Sequence, residues 1–207
     1  RRHAAVVEQD PHRRLALERR AGGLEAGLRL DRVRRLRIEP LLQEHSPNPK
    51  PFERGAVACT GNEFCRFAIV ETKARAAQWA RELDRRIAGG AEGLPILRMH
   101  FSGCSASCAQ PQIADVGFRG ETAHSGDAIV EGVDVGLGGS LGTDAAFIDW
   151  VEGAKPVGEV PDALVRLVGR YRAERHAGEA FHQWCRRLPN AELRATLAAG
   201  SPQGEAP

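Results

Sequence analysis

Four of the chain's five cysteines fall into two short pairs, Cys59-x5-Cys65 in ACTGNEFC and Cys104-x3-Cys108 in SGCSASC. Each pair stands where a strand or loop meets a glycine-rich turn, so a fold for this sequence has to accommodate two thiol-bearing turns. Where thiols stay reduced, paired cysteines point to metal before disulfide. Zinc knuckles commonly set their cysteines about two to four residues apart, whereas Cys59-x5-Cys65 needs a wider loop. An iron–sulfur cubane takes four thiolates, and the small residues Thr60, Gly61, Gly103, Ser105, Ala106 and Ser107 would let backbone amides approach its sulfides. Spacing alone leaves three readings open: a cluster, a zinc site, and unliganded core cysteines. The fifth, Cys185 in FHQWCRR, has helical neighbours and no partner cysteine, and reads as a small buried apolar residue.

Composition limits the rest. A hydrophobic fraction of 42% and a charged fraction of 27% over 207 residues are those of an ordinary globular chain, not a disordered or collagenous one. No run approaches the ~18 apolar residues of a membrane span. Arg1-Arg2-His3-Ala4-Ala5-Val6-Val7 is followed at once by Glu8 and Asp10 and offers no apolar signal core, so the expectation is a cytoplasmic chain without membrane contact. Residues 1–50 hold 12 Lys+Arg against 7 Asp+Glu, and the remainder 17 against 20, so the basic excess belongs to the first fifty residues. With aromatics at 5% and no concentrated basic face, a nucleic-acid partner is not expected.

Along the chain, residues 1–45 read as uncertain helices, including one from Arg32 to about Glu44 capped by Asp31 and interrupted by Pro40. Three prolines in Ser46-Pro47-Asn48-Pro49-Lys50-Pro51 mark an extended linker over 46–53. Beyond it, helices and strands alternate. Phe67, Val70, Ala74, Ala77, Ala80, Leu83 and Ile87 predict a helix from Arg66 to Ala88, stopped by Gly89-Gly90. Leu94–Phe101, Ile113–Phe118 and Ile129–Leu137 read as strands, and Asp144–Glu152, Asp162–Arg175 and Glu179–Arg187 as helices. The domain is expected over 54–190, with a loose tail over 191–207.

Other residues carry weaker signals. His100, between Met99 and Phe101 on a strand leading to Cys104, reads as a sheet histidine, with proton donation as the functional alternative. Glu71-Thr72-Lys73, inside the long helix expected after Cys65, reads as a surface or helix-packing segment without a catalytic role. The run from Gly136 to Thr143 could offer amides to an anion, but it matches neither phosphate fingerprint and reads better as a tight turn near a cofactor.

Taken together, ACTGNEFCRFAIVETK, then RMHFSGCSASCAQPQIADVGFRG about forty residues on, then EGVDVGLGGSLG, resemble the C-terminal, cofactor-binding part of the siroheme-dependent nitrite and sulfite reductases. The resemblance covers roughly residues 31–187. It implies an α+β domain with a mixed sheet and flanking helices, preceded by a remnant of a ferredoxin-like domain. It further implies a 4Fe-4S cluster held by Cys59, Cys65, Cys104 and Cys108, with Cys108 also bridging to the siroheme iron. The implied activity is the six-electron reduction of nitrite to ammonium with ferredoxin as donor. Sulfite reduction is one alternative, and a cluster-holding electron-transfer module without its own substrate site is another. The wording CTGNEFC followed by ETK resembles the nitrite-type and the dual-labelled members more than the sulfite reductases of the hemoprotein type. Two departures stand out: Ser105-Ala106-Ser107 replaces the usual Pro-Asn before a small residue, and the half whose Arg and Lys residues bind substrate and siroheme carboxylates is not found in the sequence. Arg54, Arg66, Arg98 and Arg119 are the cations nearest the cysteine motifs, and the chain is expected to be the C-terminal half of such an enzyme.

Overall fold

The computed structural model describes residues 49–87 and 94–198, together with Leu41. The chain divides after Asn48, and every element named below belongs to the second unit, Pro49–Pro207. The expected helix over 32–44, the glycine stop at 89–90 and residues 199–207 lie outside the described residues.

The linker's last proline does not extend it. Pro51 opens a short helix, α1 (Pro51–Gly55), where its fixed φ suits the first turn and its missing N–H costs nothing. β1 (Ala56–Ala58) follows, then α2 (Lys73–Arg86) and β2 (Met99–Ser102). β3 (Val116–Ser125), β4 (Ala128–Leu137) and β5 (Asp149–Pro156) complete the strands, and α3 (Val160–Glu174), α4 (Phe181–Arg186) and α5 (Asn190–Ala198) close the described chain.

The five strands form one sheet in sequence order. β1, β2 and β3 run parallel, with Ala58 beside Phe101 and Phe101 beside Phe118. β3, β4 and β5 run antiparallel. The fold is therefore the expected α+β arrangement of a mixed sheet with flanking helices. Its core forms where Phe101 and Phe118, neighbours on one sheet face, meet Trp79 of α2: Trp79 stacks on Phe101 at 4.9 Å and meets Phe118 edge-on at 5.3 Å. Such offset and T-shaped pairs are each worth about 0.5–1.5 kcal/mol beyond their area. A second aromatic knot, Tyr171, Phe181 and Trp184, joins α3 to α4 with centroids 5.1–5.6 Å apart.

β1 has no counterpart among the expected strands, β2 begins only at Met99, and Pro111–Ile113 form a 3-10 turn ahead of β3. Four larger differences have identifiable physical causes. Residues 66–72 are not helical, because the Ile69 and Val70 N–H groups donate to the Gly103 carbonyl and the Asn62 N–H to the Val70 carbonyl. Tertiary hydrogen bonds thus override the apolar periodicity, and α2 starts only at Lys73. β3 extends well past Phe118, since Glu121, Thr122, His124 and Ser125, polar enough to read as loop, pair with β4 across the two-residue turn Gly126-Asp127. The helix expected over 144–152 does not form: its second half is the start of β5, where Trp150 pairs with Gly136 of β4 and the β-branched Val151 is buried in the core. The tail expected from residue 191 is instead α5 as far as Ala198, because Leu193 and Leu197 reach the core at 1% and 0% exposure.

Candidate metal centre at the two cysteine turns

β1 ends at Ala58 and Cys59 follows; β2 ends at Ser102 and Gly103-Cys104 follow. Because the two strands are parallel neighbours, both cysteine turns leave the sheet at the same, carboxyl edge, where open sheets of parallel strands present their ligand sites. The turns also touch. The Cys59 N–H donates to the Phe101 carbonyl at 3.0 Å, and the Cys59 Sγ accepts the Gly103 N–H at 3.2 Å. Cys59, Cys65 and Cys104 are half-buried and Cys108 is exposed, all as free thiols.

Glycine makes the close approach feasible. A Cβ on Gly103 would fall 2.8 Å from the Ala68 Cβ and 3.0 Å from the Val70 carbonyl oxygen. One on Gly120 would fall 2.3 Å from the Gly103 carbonyl oxygen. The first loop closes on itself through the Cys65 N–H, which donates to the Gly61 carbonyl at 2.9 Å. The second is held in left-handed backbone at two non-glycine residues, Ser107 at φ 59° and Gln110 at φ 54°, on either side of Cys108. Strain of that kind persists only where neighbours impose it. Here His100 Nδ1 is 3.1 Å from the Gln110 carbonyl oxygen, the Ala109 N–H donates to Ser102 Oγ at 3.0 Å, and Ser107 Oγ donates to the Ser105 carbonyl at 3.2 Å. His100 thus braces the Cys108 turn from β2.

The Glu71-Thr72-Lys73 run proves to be the clamp of the first loop. Thr72 Oγ1 donates to the Cys59 carbonyl at 2.7 Å, and Lys73 Nζ donates to the Thr60 carbonyl while lying 4.8 Å from the Phe64 ring centroid. Glu71 accepts the Ala74 and Arg75 N–H groups at 3.1 Å each. Burial pushes the Glu71 carboxyl up, but the N–H groups of Ala74, Arg75, Lys73 and Thr72 together outweigh it and hold it below the usual value. A further anchor comes from the sheet. Glu131 on β4 accepts Asn62 Nδ2 at 3.1 Å and pairs with Arg75 of α2. The signal for Thr72 and Lys73 was present as a polar run next to the loop; Glu131, 69 positions from Asn62, had no local signal at all.

Among the described residues, no three His, Cys, Asp or Glu side chains are gathered as for a single metal ion. The turns are brought together, but their sulfurs do not converge on one point. A cluster spreads its thiolates more widely than one ion does. Four thiols on two turns that glycines bring into contact, with a backbone amide already donating to one sulfur, suit such a cluster in donor chemistry.

The neighbouring cations are largely committed elsewhere. Arg98 binds Asp115 through Nε at 3.0 Å and Nη2 at 3.2 Å, and also the Gly139 carbonyl. Arg119 binds Asp134 at 2.6 Å and lies 4.3 Å from the Trp150 ring. Arg54 and Arg66 are exposed. The glycine run after β4 is a packing turn: the Gly138 N–H donates to the Asp115 carbonyl, and the Gly138 carbonyl accepts Arg186 Nε. Cys185 is in the core at 3% exposure, and burial, then the nearby Asp115 charge, pushes its thiol well up.

Residues 51–199 match the family described as the nitrite and sulphite reductase 4Fe-4S domain. The chain is 44% identical over 149 residues to the assimilatory ferredoxin-dependent nitrite reductase of Haloferax mediterranei, covering 72% of this chain and 25% of that protein. It is 45% identical over 156 residues to the chloroplastic ferredoxin–nitrite reductase of Zea mays, covering 72% and 27%. The solved structure of the Mycobacterium tuberculosis NirA protein superposes with a TM-score of 0.66 at 36% identity, over 71% of this chain and 28% of that one. The chain spans about a quarter of the length of these relatives. With the family match covering the whole of the sheet, both cysteine turns and the closing helices, the chain belongs to the nitrite and sulphite reductase 4Fe-4S domain family.

Proposed function

We propose that this domain holds a 4Fe-4S cluster on Cys59, Cys65, Cys104 and Cys108 within a ferredoxin-dependent nitrite reductase, Cys108 being shared with a siroheme. The observation that carries this reading is the contact between the two cysteine turns at the carboxyl edge of adjacent parallel strands, through Cys59 Sγ and the Gly103 N–H. Bound there, the cluster would supply one-electron storage for the six-electron reduction of nitrite to ammonium at a siroheme. The chain's own residues supply the thiolates, restrict water at the half-buried Cys59, Cys65 and Cys104, and leave Cys108 exposed, the position a shared ligand requires. Sulfite is the second substrate reading, since the family includes both activities.

Iron and acid-labile sulfide in anaerobically purified protein test the reading: about four irons per chain are expected, and stoichiometric zinc overturns it. Replacing Cys59, Cys65, Cys104 or Cys108 by Ser removes a soft thiolate and is expected to lose the cluster absorption. Cys185→Ser is expected to keep the absorption while costing about 1–3 kcal/mol of stability, because it buries a hydroxyl in an apolar site. Bleaching by Cys185→Ser alone refutes the ligand set.

A further inference from the structure

Resting on that ligand assignment, we infer that Thr72 is a hydrogen-bond donor to the Cys59 thiolate that sets the reduction potential of the cluster. Thr72 is wholly buried, and its hydroxyl lies between two acceptors on one residue: the Cys59 carbonyl oxygen at 2.7 Å and the Cys59 Sγ at 3.8 Å. The side chain is stiff at χ1, but the O–H rotor is free to aim at either atom. With a protonated thiol, the sulfur can itself be a donor and the hydroxyl serves the carbonyl. As a thiolate the sulfur is an acceptor only, and the hydroxyl proton can turn to it.

The Cys59 sulfur then has two donors of different kinds. The Gly103 N–H, at 3.2 Å, is fixed by backbone. The Thr72 hydroxyl is adjustable, and its pull on the sulfur grows with the negative charge there. When one electron enters the cluster no bond forms or breaks and no proton leaves Thr72; the hydroxyl hydrogen bond to sulfur strengthens. It therefore stabilises the reduced state more than the oxidised one and raises the potential. Burial amplifies the effect, since a hydrogen bond in a low dielectric is electrostatically stronger than one in water. Thr72 touches no reacting atom and acts only through Cys59, so it is a positioning and tuning residue.

The test uses the full chain reconstituted anaerobically with ferrous iron and sulfide. The midpoint potential is read by redox titration followed by electron paramagnetic resonance. Thr72→Val, nearly the same shape without the hydroxyl, is expected to shift the potential negative, and Thr72→Ser to stay near the wild-type value. A Thr72→Val protein that binds the cluster at the wild-type potential overturns the inference. Should Thr72→Val fail to fold, the wild type and Thr72→Ser decide it. Reconstituted from unfolded protein in D2O, the wild type and Thr72→Ser are expected to show, by pulsed resonance of the reduced cluster, a strongly coupled hydroxyl deuteron in addition to that of the Gly103 amide. Absence of that second deuteron overturns the role of the hydroxyl. A wild-type chain that takes up no iron overturns the ligand assignment itself, so the two failures are distinguishable.

Discussion

Thr72 occupies the N-cap position of α2, yet its hydroxyl donates to the Cys59 carbonyl oxygen and gives the helix no cap. Capping falls to the preceding residue, Glu71, whose carboxylate takes the Ala74 and Arg75 N–H groups. The start of the helix and the first cysteine turn are therefore secured by adjacent side chains pointing to different tasks.

That division predicts a pH-dependent cap. The Glu71 carboxyl is held below its ordinary value in the fold, so its contribution is present above the unfolded value and is lost as pH falls through the folded one. Glu71→Ala is expected to cost about 1 kcal/mol at neutral pH. The gap from wild type should narrow as the solution is acidified below the ordinary carboxylate range. Urea unfolding midpoints at neutral and acid pH check this, and a gap that does not change with pH refutes it.

Glu131 ties the Asn62 loop and Arg75 to the sheet from β4, and both members of its ion pair are about 30% exposed, at 30% and 29%. Removing the carboxylate leaves Arg75 without its partner, and the Arg75 Nε already has no hydrogen bond in the interior. Glu131→Ala is expected to destabilise the domain by about 1–3 kcal/mol. It should also speed iron loss to a chelator, because the Cys59–Cys65 loop loses its tie to β4. Unchanged stability together with unchanged chelator kinetics would show that the tie contributes nothing.

Gly120 lies under the second cysteine turn. An alanine there would place its Cβ 2.3 Å from the Gly103 carbonyl oxygen, a backbone atom that also accepts the Ile69 N–H at 2.7 Å. Relief requires moving the Gly103-Cys104 turn. Gly120→Ala is expected to cost about 1–3 kcal/mol or more and to impair cluster uptake. Gly126→Ala is a useful contrast: it has open space around it, and only its φ of 58° resists the change. Its effect should be confined to stability, leaving iron content at the wild-type level.

How far these features were legible in the sequence follows from their range. The cysteine pairs, the glycines beside them, and the strands through Met99, Phe101, Val116 and Phe118 were readable because apolar alternation and glycine placement are local signals. Residues 66–72 carry a helical apolar period yet form no helix, because the hydrogen bonds to Gly103 that prevent it come from a segment more than thirty residues away. The outer half of β3 has no clear strand signal because Glu121, Thr122, His124 and Ser125 are polar and exposed, and its pairing with β4 follows from the turn and the register. The role of Glu131 had no sequence signature, since its partners Asn62 and Arg75 are joined to it only across the sheet.

The choice between nitrite and sulfite is not made by the cysteine turns. On the proposed reading both anions would be reduced on the same pair of cofactors, so the thiolates would not separate them; discrimination would come from cation placement and pocket volume. Within this domain, Arg98 and Arg119 are paired with Asp115 and Asp134, and residues 51–207 carry 17 basic against 20 acidic side chains. The cations that recognise the anion are therefore expected to come from the other three-quarters of a reductase of this family, and the 207-residue chain alone, given cofactors and reductant, is not expected to turn over. Nitrite is the expected preference because CTGNEFC followed by ETK resembles the nitrite-type and dual-labelled members, and the Haloferax mediterranei and Zea mays relatives, at 44% and 45% identity, carry nitrite reductase names while ferredoxin sulfite reductases match at 37% and 38%. The measurement is the ratio of kcat/KM for nitrite and for sulfite in the whole reductase carrying this domain, with reduced ferredoxin as donor. A ratio favouring nitrite is expected. A tenfold preference for sulfite, about 1.4 kcal/mol of transition-state stabilisation, overturns the nitrite assignment and leaves the cluster ligands and the Thr72 donor to stand on their own tests.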